Sequence, residues 1–226
     1  MFRKDLYPVF VALAVWGACF PSSRVRADDK YYMMLFSSQS DPKEVRVSHT
    51  FAEFVKVADD SRIVERHGIS WMPRDLEIRP LRRLPEPGVN LSLAQTQHWA
   101  GLVGARVTMW GPFRIRPELY HMAVRQERRL NSGAASYIAM DRRYREDGTT
   151  NCIHAVSDLD QWQPPLSTGT AFGDEATVLV LNHFQRYILP TPEPTRWLTD
   201  LLNVKPDKVR FATAIQITGG NTKFGP

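Results

Sequence analysis

The sequence predicts an α+β fold, in which an antiparallel sheet packs against helices. Residues Val45 to Val57 alternate with the two-residue period of a strand, and Ser92 with Gln95, like Pro117 with Glu118, marks the start of a helix. The elements marked in this way do not follow a strict β-α alternation, which argues against a doubly wound sheet.

Taken in order, Tyr31 to Phe36 is an unbroken apolar run that reads as a buried strand. In the next strand Val45, Val47, His49, Phe51, Glu53, Val55 and Val57 share one face, while Arg46, Ser48, Thr50 and Lys56 share the other. Asp59-Asp60-Ser61 makes a turn, Ile63 to Trp71 returns as a strand, and Pro73 ends it. The Arg- and Pro-rich stretch from Leu76 to Gly88 reads as an ordered surface excursion. Ser92 and Gln95 form a capping box for a helix through Leu102. Arg106 to Trp110 is a strand that Gly111-Pro112 breaks. A helix opens at Pro117, places Leu119, Met122, Ala123 and Leu130 on one face, and stops at Asn131-Ser132-Gly133. Tyr137 to Met140 reads as a strand. The region Asp174 to Ile188 holds a helix, although Val178 to Leu181 also suits a strand. Pro190, Pro192 and Pro194 lead to a last helix from Trp197 to Val204.

The N-terminus has the layout of an export signal. Arg3 and Lys4 precede an apolar stretch from Tyr7 to Ala18, and Val25-Arg26-Ala27 suits cleavage before Asp28. Residues 1–27 are therefore expected to be a signal peptide and 28–226 a single domain in the periplasm or beyond. Gly17-Ala18-Cys19 offers an alternative, a lipoprotein box that would anchor the chain through Cys19. Trp16 fits that box badly.

Of the 226-residue chain's formal charge of +5, Arg3, Lys4, Arg24 and Arg26 against Asp5 carry +3, so the remainder is nearly neutral. No basic patch is interleaved with aromatics, and nucleic acid is not expected as a partner. No second apolar run is long enough to span a bilayer. No cofactor is expected. A metal is not expected either, because no histidines are spaced as paired ligands on one helix. The sequence sets no oligomeric state.

Removal of the signal leaves one cysteine, Cys152, in a compartment that favours disulfides. Asn151 is a good N-cap, which puts Cys152 at the first position of a helix, where unpaired N–H groups favour a thiolate. His154 lies two residues further on and points away from the thiol. His98, His121 and His183 carry no distinguishing feature. His49 does, because an imidazole on the apolar face of a strand is costly without a partner.

Ser48-His49-Thr50-Phe51-Ala52-Glu53-Phe54-Val55, followed about a hundred residues later by Asn151-Cys152-Ile153-His154-Ala155, resembles the circularly permuted papain-like group. That group includes the lecithin:retinol acyltransferase-like and NlpC-like enzymes. Gly68-Ile69-Ser70-Trp71-Met72-Pro73 resembles exported bacterial members of it. Ile153 stands where an acidic residue is frequent, Ala155 replaces an aromatic one, and the segment between the motifs is longer than in minimal members.

The resemblance implies a permuted papain-like (NlpC-like) core with Cys152 as nucleophile and His49 as general base. It also implies a third polar residue that orients the imidazole, for which His67 on the return strand is the candidate. The backbone N–H of Cys152 would help to hold an oxyanion. The implied activity is a cysteine hydrolase or acyltransferase that forms an acyl-enzyme at an amide or ester bond. Its substrate would be a peptide, lipid or lipoprotein of the cell envelope. The alternative is an exported binding or structural protein that keeps the fold without turnover, with Trp71, Trp99, Trp110 and Trp162 lining a ligand cleft.

Overall fold

The computed structural model describes residues 29–59, 61–140, 148–160, 166–190, 196–204 and 209–212. The proposed signal, Cys19 and Trp162 lie outside the described residues.

The architecture is α+β. A five-stranded sheet has the order β3-β2-β1-β6-β9, built from β1 (Lys30–Gln39), β2 (His49–Val57), β3 (Ile63–Ile69), β6 (Arg106–Ile115) and β9 (Val209–Phe211). Its pairs are antiparallel except β6 with β9. A smaller sheet joins β4 (Trp71–Pro73), β5 (Glu86–Asn90), β7 (Ser136–Tyr137) and β8 (Thr149–Thr150).

Helices cover both faces of the large sheet. On one face lie α1 (Leu93–Leu102) and α5 (Arg196–Leu201), whose Leu93, Trp99, Ala100 and Leu198 pack with Tyr32, Met34, Phe36, Phe51 and Val55. On the other lie α2 (Pro117–Asn131), α3 (Cys152–Ser157) and α4 (Asp174–His183), which pack with Tyr31, Met33, Leu35, Ala52 and Phe54. This double covering explains why β1 is a continuous apolar run. Each alternate side chain enters a different core, so neither face needs to be polar.

Several boundaries differ from the sequence expectation, each for a local reason. Val45–Val47 is a turn of 3-10 helix, and the strand begins at His49. The return strand stops at Ile69, and after Ser70 the chain enters the second sheet at Trp71. Asn90 secures this change of sheet. Its side-chain oxygen accepts from Ser70 N at 2.8 Å, and its amide donates to the Gly68 carbonyl at 2.9 Å. Gly111-Pro112 does not end β6, which runs on to Ile115 across a register shift opposite Met33 and Leu35. Gly111 has φ +96° there, and a Cβ would stand 2.9 Å from the Met33 carbonyl, so the irregularity requires glycine. Of the Tyr137 to Met140 segment only Tyr137 belongs to a strand, Ser136–Tyr137, and the Leu76 to Gly88 excursion ends in β5. Val178 to Leu181 is helical. Among the described residues no helix is long and apolar enough to cross a membrane.

Candidate functional site

Cys152 follows the short strand β8, and the Asn151 side chain caps α3 by accepting from His154 N at 2.8 Å. The cysteine is the first helical residue and is buried, with 8% of its surface exposed. Below it, Ala155 and Val156 enter the same core as Ala52 and Phe54 of β2. Gln126 of α2 donates to the Ala155 carbonyl at 2.9 Å and so ties α2 to α3. His154 turns away from the thiol, with Nε2 2.9 Å from the Leu166 carbonyl.

His49 opens β2 and belongs to the opposite face. Its ring lies 5.4 Å from Phe51 and 5.9 Å from Trp99, on the α1 side of the sheet. Strand alternation requires this placement, because His49 and Phe51 are two residues apart while Ala52 and Phe54 point to α3. The sheet therefore stands between the imidazole and helix α3. His49 thus faces away from the helix that Cys152 begins, whereas the dyad the motifs imply would turn it toward that helix.

The imidazole is held by other groups. Nε2 is 2.8 Å from Ser70 Oγ, and Ser70 Oγ is 2.7 Å from Thr96 Oγ1. Thr96 donates its one hydroxyl proton to the Ser92 carbonyl at 2.9 Å. Ser70 must then donate to Thr96, and His49 Nε2–H to Ser70. That order leaves the basic lone pair on Nδ1, which is enclosed and has no hydrogen-bond partner. Burial lowers the His49 pKa to about 3, so the ring is neutral at physiological pH.

His67, the candidate third residue, makes its ring contacts with α2 and not with His49. Its cross-strand partner is Phe54, and it faces α2, where Nδ1 lies 2.5 Å from Glu127 Oε2 and the ring meets Tyr120 at 5.5 Å. Ser70 holds the position assigned to His67, because the chain bends there from β3 toward the second sheet. Trp71, Trp99 and Trp110 are buried core residues. Of the remaining histidines, His98 and His121 are exposed.

A second buried polar layer lies on the α3 and α4 side of the sheet and went unread in the sequence. Asp174, at the start of α4, accepts from Ser37 Oγ and from Arg106 Nη2, the latter at 2.7 Å, and its backbone N–H donates to Gln39 Oε1 at 2.9 Å. Thr50 and Thr177 meet at 3.0 Å. Cross-strand pairing of Ser37 with Thr50 and with Thr108 places these side chains on one face. The sequence carries no local signal for this layer, because bonded members such as Ser37 and Asp174 are 137 residues apart. Among the described residues no group of three or more potential metal ligands is gathered.

No family model, curated protein or solved structure matches this chain. The functional reading therefore rests on the side chains and their geometry.

Proposed function

We propose that the chain is an exported, non-catalytic binding or structural protein built on a permuted papain-like core. The order of its motifs supports that core: a histidine strand precedes a cysteine helix, and α3 packs against β2. The observation against turnover is the placement of His49 and the core residues of helix α3 on opposite faces of one sheet. A general base must reach the proton it removes, directly or through one water, and an imidazole turned toward α1 is poorly placed for either. His49 serves the packing of α1 instead, through Ser70 and Thr96.

The test is alkylation of Cys152 by iodoacetamide across pH, in a Cys19→Ser background, for the otherwise wild-type chain and for His49→Gln. The reading expects superimposable pH profiles. A loss of about tenfold or more in rate on removing the imidazole, the scale of a broken base–nucleophile pair, would reinstate the dyad.

One observation favours a second reading, that of a thiol hydrolase or acyltransferase with a base other than His49. Cys152 stands at the first position of a helix capped by Asn151, a setting that favours thiolate. A thiol-directed acyl probe separates the two readings. Labelling that is lost in Cys152→Ala but retained in His49→Gln supports the second, whereas no labelling of the wild-type chain supports the first.

A further inference from the structure

We infer that the turn between β4 and β5 is a docking element for an anionic lipid surface. Leu81 is the most exposed large apolar side chain among the described residues, at 87%, and Leu84 is 72% exposed. Arg82 and Arg83 lie between them in sequence, so the tip presents two leucines and two guanidinium groups together.

The turn is braced from below. Arg82 N donates to the Arg79 carbonyl at 3.1 Å and closes a turn around Pro80 and Leu81. Arg79 reaches three carboxylates, Asp75 at 2.5 Å, Glu77 at 2.8 Å and Glu86 at 3.0 Å. Ile78 enters the core on the α1 side, and Trp99 Nε1 donates to the Leu76 carbonyl at 3.3 Å. The exposed leucines are therefore held out by an ordered base, and presenting them to a surface requires little further ordering.

The charges are distributed unevenly. From Arg74 to Glu86 there are four arginines and three carboxylates, but Arg79 gathers all three carboxylates at the base. At the tip, Arg82 meets Glu86 at 3.6 Å and donates Nε–H to the Leu84 carbonyl at 3.2 Å, and Arg83, like Arg74, has no ion-pair partner among the described residues. Exposed apolar groups flanked by one weakly paired and one unpaired guanidinium match a bilayer interface with acidic headgroups. The leucines enter the acyl boundary while the guanidinium groups stay at the phosphate level. An acidic protein surface would take up the arginines but offers no reason for the leucines to stay exposed in the free chain.

Sedimentation of the full chain with vesicles of phosphatidylcholine alone, or with phosphatidylglycerol added, tests this inference. The expected result is binding that rises with phosphatidylglycerol and falls with salt. Arg82→Ala and Arg83→Ala should each weaken it by about fivefold, the worth of one basic residue near an anionic surface. Leu81→Ser/Leu84→Ser should weaken it by about tenfold or more. Circular dichroism unchanged from wild type shows that these surface variants still fold. Equal binding to both vesicle types, absence of binding to either, or undiminished binding by the leucine variant would each overturn the inference. The last outcome would assign any affinity to another part of the chain.

Discussion

The Nε2 of His49 lies 2.8 Å from Ser70 Oγ, and this contact connects β2 to the point where the chain leaves the large sheet. Ser70 passes the hydrogen bond to Thr96, so an imidazole, a sheet junction and α1 form one buried polar chain. A neutral ring suits this chain, because a second ring proton would have no acceptor inside the core.

That neutrality predicts how stability depends on pH. The pKa of His49 is about 3 in the folded protein, against 6.5 for the model imidazole. Between these values the unfolded chain binds a proton that the folded chain refuses. The contribution of His49 is thus intact above the unfolded pKa and is lost as pH falls toward the folded one. The expected slope is about 1.4 kcal/mol for each pH unit in that window. Chemical denaturation of wild type and His49→Gln from pH 7 to pH 4 measures it as a difference. Parallel curves for the two proteins would disprove the enclosed, neutral ring.

Glu53 and Arg66 give a prediction of a different kind. Glu53 is buried on β2, and burial raises its pKa, while Arg66 on β3 opposes that rise by bonding Oε1 at 2.8 Å. Removing the guanidinium leaves a buried carboxylate without its counter-ion, so Arg66→Ala should cost about 3 kcal/mol near neutral pH. A group with a raised folded pKa favours the folded state at low pH, so the loss should shrink as the solution is acidified and Glu53 takes up a proton. Denaturation of the variant at pH 7.5 and at pH 5 tests this. A cost that does not change with pH would show that Arg66 contributes packing alone.

The junction between the two sheets is sterically exact at Gly88. A Cβ there would stand 2.1 Å from Cζ2 of Trp71, whose ring covers the glycine from the neighbouring strand. Gly88→Ala is expected to destabilise the protein by about 3 kcal/mol, at the upper end of overpacking costs, because the indole is fully enclosed and has no free space to enter. Thermal unfolding of Gly88→Ala beside Trp71→Phe/Gly88→Ala checks the cause. The smaller ring should restore part of the loss, and an unimproved double variant would point to the backbone instead.

Signals carried by a few neighbouring residues were legible in the sequence. Ser92 and Gln95 form the expected reciprocal cap on α1, Pro117 opens α2, and Asn151 caps α3, because each of these depends on side chains within one turn of their backbone targets. Long-range pairing was not legible. Alternation separated His49 from Thr50 correctly, but it cannot say which face meets which helix when both faces are buried. Ile69 and Trp71 lie with His67 on the α2 side, a placement that depends on a partner-strand register the sequence does not carry. Ile63 crosses to the other face because the register shifts between Lys56 and Val57. Ser70 was missed because its role depends on a change of sheet that only the complete fold decides.

The doubly covered sheet also restricts what chemistry this chain can acquire. It works as an insulating wall, and a side chain's parity along β2 decides which chamber it serves. Thr50, one residue from His49, already faces the chamber that holds α3 and α4, where it meets Thr177 at 3.0 Å. A base introduced at position 50 would enter the compartment that holds α3 and α4, whereas none introduced at 49, 51 or 55 would. Which chamber a base would serve is therefore decided by a single step along one strand.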